Sequence, residues 1–303
     1  MTDKPYFLSI CIPTYCRHDY LKKTVDSLIK QIGILNSTEV QICISDNCSN
    51  DNTNNYLNVL TSHTFIKTNR NLVNCGYDYN LMKAFEMCEG EYIWFLSDDD
   101  IITDKTVNSL ITILKGNKPN SVFLKPVFFR GSPVEKDYQF GFDMVEKADD
   151  ALKRINWLVS FLSSFIVKKS LIKQSVKDFF GSGFIHTPLI LEVLSYGSVA
   201  VVEEGFLFVR QGNSGGYNKY QFFGPNFEQI INSFFGVFTA EAIEKTLYQW
   251  ASVVIVSNIV EDKKKKKFKF SDYLLLKKAY KKHPKAWKCI KRASFALAFR
   301  KGE

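Results

Sequence analysis

Ser97-Asp98-Asp99-Asp100 is the stretch of this 303-residue chain whose residue types commit most directly to chemistry. It follows Glu91-Tyr92-Ile93-Trp94-Phe95-Leu96, an apolar run with the composition of a buried strand. Three adjacent carboxylates repel, and each disfavours ionisation of the others unless a cation sits among them. Carboxylate oxygens are the ligands that hard divalent ions such as Mg²⁺ and Mn²⁺ prefer, and such ions bridge to substrate phosphates. In open α/β sheets, ligands bind beyond the carboxyl ends of the strands. The run reads as a metal–phosphate site.

Two more loops carry suitable groups. Pro13-Thr14-Tyr15-Cys16-Arg17 follows the apolar run Leu8–Ile12, and Ser45-Asp46-Asn47-Cys48-Ser49-Asn50-Asp51 follows Val40–Ile44. With the acidic run they offer an aromatic ring, hydroxyls, carboxylates and a cation, a set able to hold a nucleotide and its metal. Asp46 and Asp51 are also residues that shape Asx-turns. A further turn, Arg210-Gln211-Gly212-Asn213-Ser214-Gly215-Gly216, makes Arg210 and Asn213 candidate diphosphate contacts through guanidinium and backbone N–H donors. An ordinary surface turn has the same composition.

The elements that must position these loops alternate. Strands are expected at Leu8–Ile12, Val40–Ile44, Phe65–Lys67 and Tyr92–Leu96. A helix with Leu21, Val25, Leu28 and Ile32 on one face, capped by Asp19, separates the first two strands. A second, with Leu81, Ala84, Phe85 and Cys88 inward and Gly90 closing it, precedes the fourth. Strand–helix–strand repetition implies a parallel sheet covered on both faces. Further strands are expected at Ser121–Phe129, Phe161–Lys168, Ser198–Val202 and Phe206–Arg210, with a helix over Thr187–Tyr196. From about residue 225 the pattern is helical.

The whole-chain net charge of +9 contains a net of +12 in residues 251–303, so residues 1–250 carry −3. Lys263–Lys267 and Lys269 lead into a basic amphipathic pattern with Trp287, Ile290 and Leu297 near one helical face, a type suited to an anionic membrane surface. A plain solvated charge run is the alternative. The seven cysteines are odd in number and form no C-x-x-C, which disfavours zinc and a disulfide framework and fits a reducing cytoplasm. The N-terminus lacks the build of a signal peptide, and no apolar stretch is long enough to span a bilayer.

Taken in order and spacing, Leu8-Ser9-Ile10-Cys11-Ile12-Pro13-Thr14-Tyr15, Asp46-Asn47-Cys48-Ser49-Asn50-Asp51 and Gly90 to Asp100 resemble the family 2 glycosyltransferases. The resemblance covers the first 100–110 residues well and fades by about residue 215. It implies an α/β GT-A fold: a central, mostly parallel sheet flanked by helices. Residues 1–225 would be the transferase domain, with 1–115 the nucleotide-binding half and 116–225 the acceptor half. Residues 226–303 would form a helical, basic C-terminal region.

The resemblance also implies roles. Pro13, Thr14, Tyr15 and Arg17 would line the nucleotide pocket, Asp46 would accept a hydrogen bond from the base, and Asp98 would contact the ribose. Asp99 and Asp100 would hold the Mn²⁺ or Mg²⁺ that bridges the diphosphate of the leaving group. Family members invert at the anomeric carbon, using an Asp or Glu base from a helix start in the second half. Here the matching stretch, Gly181-Ser182-Gly183-Phe184-Ile185-His186-Thr187-Pro188, holds a His and no acid, so His186 is the candidate base and Asp178 the nearest acidic alternative.

The implied activity is sugar transfer from a nucleotide-diphospho-sugar to a lipid-linked or polysaccharide acceptor, as in bacterial O-antigen or capsule assembly. The acidic run looks most like that of O-antigen transferases, including those that move dideoxyhexoses. A cytoplasmic enzyme, peripheral at the membrane through residues 263–301, would follow. Three competing readings are a non-catalytic sugar-nucleotide binder, a nucleotidyltransferase and a nucleic-acid-binding protein using the tail. A nucleotidyltransferase would want a glycine-rich loop where Pro13-Thr14-Tyr15 stands. Nucleic acid is not expected, because residues 1–250 are net negative.

Overall fold

The computed structural model describes residues 6–35, 37–131, 141–173, 176–203, 205–211 and 218–296. Eleven strands are present among them: β1 Leu8–Thr14, β2 Val40–Asp46, β3 Ile66–Arg70, β4 Tyr92–Phe95, β5 Ile101–Ile102, β6 Ser121–Leu124, β7 Val127–Phe129, β8 Phe142–Val145, β9 Phe165–Lys168, β10 Val199–Val202 and β11 Leu207–Arg210. Six helices interleave with them: α1 His18–Leu35, α2 Thr53–Leu60, α3 Tyr77–Met87, α4 Thr106–Asn117, α5 Ala148–Ile155 and α6 His186–Leu194. The C-terminal region is helical throughout, including Ala240–Trp250, Phe270–Tyr280 and Pro284–Phe295.

The main sheet runs β3-β2-β1-β4-β9-β6-β10-β8. Pairing is parallel through β3, β2, β1 and β4, and again between β6 and β10. β9, the end of the expected strand Phe161–Lys168, lies antiparallel to both β4 and β6. A small second sheet, β5-β11-β7, sits at the carboxyl end of the first. The expected strand Ser121–Phe129 is two strands, because Pro126, which has no N–H to donate, falls between β6 and β7 and lets the second half join the smaller sheet.

Central strands are buried on both faces, and alternate residues serve opposite cores. Ile10, Ile12, Tyr92 and Trp94 pack with α1 and α4, while Cys11, Ile93 and Phe95 pack with α3, α6 and the C-terminal helices. Each buried Ile or Leu contributes roughly 1.5–3 kcal/mol. The second cluster is continuous from the sheet to Ile290, so the basic C-terminal helices are part of its packing. Residues 222–226 form a π-helical turn that runs directly into the helix Phe227–Ser233, so the chain is helical across the 225/226 divide.

Two local expectations change. Asp19 sits in the first turn of α1 rather than before it, and Asp51 takes the helix-start donor instead: its Oδ2 accepts from His18 N at 3.0 Å while its Oδ1 accepts from Thr53 N at 3.1 Å. Asp51 thus ties the starts of α1 and α2 together. Gly90 does not close α3, which ends at Met87; a Cβ there would lie 2.6 Å from Ser9 N, so glycine permits close approach to β1. All seven cysteines are free thiols, and among the described residues no helix is long and apolar enough to cross a membrane.

Candidate active site

The three chemically endowed loops open at one edge of the sheet because β1, β2 and β4 are parallel; Thr14 and Asp46 are paired in register at that edge. A cavity of about 500 Å³ lies there. Its polar side is formed by Thr14, Arg17, Asn47, Asn74, Asn80 and Asp98, and its apolar side by Tyr77, Leu162, Phe184, Phe222 and Phe223. Pro13, Tyr15 and Ser97 also line it, with Tyr15 45% exposed.

Asp98 is the charge centre of the polar side. Thr14 Oγ1 donates to its Oδ2 at 2.7 Å, and Arg17 Nη1 lies 3.1 Å from its Oδ1 and 3.2 Å from Asp99 Oδ2. Burial pushes the Asp98 carboxyl up to about 6 against the opposing pull of Arg17 and Thr14. Ser97 Oγ donates to Asp99 Oδ1 at 2.7 Å. Asp100 is held differently: Ser163 Oγ donates to Oδ2 at 2.6 Å and the Arg210 backbone N–H to Oδ1 at 3.2 Å. Burial and the neighbouring Asp99 push Asp100 up to about 7.

Fit to a divalent ion can be judged from these donors. Hard carboxylate oxygens are present, but among the described residues no group of three His, Cys, Asp or Glu converges on one point. An ion here would therefore take most of its shell from substrate phosphate and water, which is the habit of Mg²⁺. Asp98 and Asp99 suit such a site, and the Arg17 guanidinium already lies between them. Both oxygens of Asp100 serve the loop and β11, and neither Asp99 nor Asp100 lines the cavity.

The other expected contacts divide. Pro13, Thr14, Tyr15 and Arg17 are all at the cavity. Asp46 is fully buried and does not line it; its oxygens accept from Ser49 N at 3.1 and 3.3 Å and from Ser49 Oγ, with Arg70 3.6 Å away. These bonds reach three residues on and fix the 46–49 turn; the Asx-turn bond, two residues on, is the one Asp51 makes to Thr53 N. Arg210 stacks between the rings of Tyr20 and Phe129, 4.9 and 4.8 Å from their centroids, so it braces β11 rather than facing the cavity. Asn213 lies outside the described residues.

His186 begins α6 and is buried. Its Nε2 faces the Ser160 carbonyl at 2.9 Å and its Nδ1 the Tyr77 hydroxyl at 3.2 Å. A carbonyl only accepts, so Nε2 carries the proton and Nδ1 accepts from Tyr77. Burial lowers the imidazole to about 4, keeping it neutral. Both ring nitrogens are engaged, and His186 does not line the cavity itself but meets two rings that do, Tyr77 and Phe184.

Sequence reasoning missed Tyr77, Asp78 and Asn80, all in the first turn of α3. Asn80 donates to Thr14 O at 3.2 Å and Ser45 O at 2.9 Å, joining the ends of β1 and β2. Asp78 is buried and accepts from Gly183 N at 3.0 Å and Ile185 N at 3.3 Å. A carboxylate thus reaches the very loop where the sequence offered none, but it arrives from another element. Polar residues on the buried face of α3 were the available signal, since buried polar groups need partners.

Residues 9–175 match the family model described as glycosyl transferase family 2. The chain belongs to glycosyltransferase family 2. Among curated proteins, this family member is 35% identical over 109 residues to the abequosyltransferase RfbV of Salmonella typhimurium, covering 35% of this chain and 32% of the relative. It is 29% identical over 173 residues to the poly(ribitol-phosphate) beta-N-acetylglucosaminyltransferase TarP of Staphylococcus aureus, covering 55% and 50%. The matches thus span about a third to a half of these relatives' length.

The solved structure of S. aureus TarS 1-349 with UDP-GlcNAc superposes with a TM-score of 0.69 at 16% identity, covering 92% of this chain and 81% of that one. A mannosyltransferase from Pyrobaculum calidifontis, solved with GDP-Man and Mn²⁺, superposes with a TM-score of 0.51 at 13% identity, covering 99% and 90%. The family 2 member has the GT-A fold expected from its sequence.

Proposed function

We propose that this chain transfers a sugar from a nucleoside-diphosphate sugar to a lipid-linked or polysaccharide acceptor in cell-surface glycan synthesis, by direct displacement with inversion. The observation that carries the reading is the cavity at the carboxyl ends of β1, β2 and β4. It joins the Asp98–Arg17–Thr14 charge centre to a row of asparagines and an aromatic wall. The names of its relatives, which include abequosyl and N-acetylglucosaminyl transfer, support the class of reaction.

In this reading Pro13, Thr14 and Tyr15 contact the nucleotide, Arg17 the diphosphate and Asp98 the ribose. Asp46 acts from below by shaping the 46–49 turn. Mn²⁺ or Mg²⁺, assigned to Asp98 and Asp99, supplies charge neutralisation for the leaving diphosphate. Asp100 and Arg210 brace the acidic loop from β11. His186 is assigned to positioning Tyr77, since neither of its nitrogens is open to an acceptor hydroxyl. Residues 1–225 form the catalytic unit, and residues 226–303 contribute packing and the basic surface.

The test is thermal stabilisation by a panel of UDP, GDP, CDP and dTDP with and without Mn²⁺. At least one should raise the melting temperature by several degrees, more with Mn²⁺, and Asp98→Asn should abolish both the shift and donor hydrolysis. No shift with any member would end the reading. A sugar-nucleotide binder without catalysis would show the shift in wild type with neither hydrolysis nor transfer; one observation favours it, namely that Asp98 is the sole carboxylate residue lining the cavity among the described residues.

A further inference from the structure

Of the apolar face read from the C-terminal sequence, Ile290 is buried, Trp287 packs against the same core while staying part-exposed, and Leu297 lies outside the described residues. Ile290, Ala286 and Ala293 of the helix Pro284–Phe295, with Leu276 and Ala279 of Phe270–Tyr280, are buried against the main core. The flank of this helix pair carries an aromatic cluster whose outer rings are exposed. Phe270 stacks on Tyr273 at 5.9 Å between centroids, and Tyr273 meets Trp287 at 5.7 Å and Phe295 at 5.1 Å. Phe270 is 71% exposed and Phe295 50%. Trp287 also packs against the main core and Tyr273 is half-buried, so Phe270 and Phe295 are the two rings of the cluster without a core role.

The charge around the cluster has one sign. Residues 263–296 contain 14 Lys and Arg against a single acid, Asp272. Lys277 lies one turn beyond Tyr273, and Lys288 and Lys291 stand between Trp287 and Phe295; all three are exposed. Asp272 is turned back onto the Lys269 backbone N–H at 2.8 Å, so it does not neutralise them.

We propose that the Phe270–Tyr273–Trp287–Phe295 face is a docking surface for an anionic lipid bilayer, its rings entering the headgroup boundary and its lysines meeting lipid phosphates. Aromatic side chains favour that boundary, and each Lys or Arg near an anionic surface adds attraction that salt screens. The cluster favours lipid over nucleic acid. Its outermost groups are Phe270, Phe295 and the half-exposed Leu274, which have no polar atom to read a strand, and residues 1–250 are net negative. The inference rests on and extends the lipid-linked acceptor of the proposed function.

Flotation of the full-length chain with phosphatidylcholine vesicles, with and without phosphatidylglycerol, tests it. Wild type should float with the anionic vesicles only, and high salt should release it. Phe270→Ser/Phe295→Ser and Lys277→Glu/Lys291→Glu should each weaken binding at least tenfold. Brominated acyl chains should quench tryptophan emission in wild type and much less in Trp287→Phe. Wild-type binding in both variants, equal binding to neutral vesicles, or single-stranded RNA bound as tightly as vesicles would overturn the proposal. Nucleoside-diphosphate stabilisation, measured on the same variants, should be unchanged; its failure in wild type would instead count against the catalytic reading.

Discussion

The Arg17 guanidinium lies 3.1 Å from the Asp98 carboxylate at the cavity wall, and the same nitrogen reaches Asp99 at 3.2 Å. One cation therefore offsets two of the three charges that the acidic run crowds together. Arg17 and Asp98 both line the cavity, so a diphosphate or metal held there would meet this bridge. Arg17 is part-exposed and Asp98 buried, which places the stronger electrostatic consequence on the carboxylate.

Replacing Arg17 by Gln removes a charge-assisted donor to phosphate and leaves Asp98 without its cation. Loss of such a bond costs about 1.5–3 kcal/mol. Nucleoside-diphosphate affinity should fall about tenfold to a hundredfold, measured by calorimetric titration. Unchanged affinity would show that the guanidinium stays on the carboxylates and never meets the ligand.

Much of this arrangement was legible in the chain. The apolar runs before Pro13, Ser45 and Ser97 are central strands, and parallel pairing brings their ends to one edge. The motif order pointed to the right family and fold. Which carboxylate faces the ligand was not legible. Asp98, Asp99 and Asp100 are adjacent, and contacts from distant elements, Thr14 and Arg17 on Asp98 and Ser163 and Arg210 on Asp100, give them different orientations. The antiparallel β9 was equally hidden, because a buried strand has the same composition in either direction. The C-terminal helices have a mainly aliphatic face and an aromatic flank, and periodicity alone did not tell which one the core takes.

Gly183 combines a φ of +74° with a close approach: a Cβ would lie 2.0 Å from Phe222 Cε1. Gly183→Ala must both hold a left-handed backbone and displace the ring that walls the cavity. Together these cost about 2–4 kcal/mol. Thermal unfolding should shift down accordingly, and KM should rise more than kcat falls. Adding Phe222→Leu should recover part of the stability; no recovery would mean the ring contact is not the cause.

His186 and Tyr77 should behave as one unit. If His186 acts only by fixing the Tyr77 hydroxyl, His186→Asn, Tyr77→Phe and the double variant should lower turnover to a similar extent, about tenfold, with coupling of roughly 0.5–3 kcal/mol. Any inflection of the rate profile between about pH 6 and 7 belongs to Asp98 and Asp100 and should persist in His186→Asn, because burial holds His186 near 4. A loss of about 10²–10⁴-fold confined to His186 variants would restore it as the base.

His283 links pH to the stability of the C-terminal region. Its Nδ1 lies 2.6 Å from Glu244 Oε1 and its Nε2 3.0 Å from Glu228 Oε1, with Lys282 also on Glu228 at 3.0 Å and the Tyr280 ring 6.1 Å away. Burial opposes the imidazolium, but the two carboxylates outweigh it and raise the pKa above 6.5; Lys282 and His283 in turn hold Glu228 below its ordinary value despite burial. A raised histidine contributes stability that is fully present below 6.5 and lost as pH climbs through the folded value. The depressed Glu228 contributes above its ordinary 4.5 and loses its share as pH falls through the folded value. The share of stability that the His283–Glu228 pair contributes should therefore be greatest between about pH 4.5 and 6.5 and fall above 6.5, separately from the decline that the raised Asp98 and Asp100 carboxyls cause as they ionise. Circular-dichroism melts across and above that range should show a steeper alkaline decline in wild type than in His283→Gln. That variant should also melt lower at pH 6, since it leaves two buried or half-buried carboxylates short of a charged donor, a loss of about 1.5–3 kcal/mol. Equal alkaline slopes in both proteins would mean that a different group carries the pH dependence.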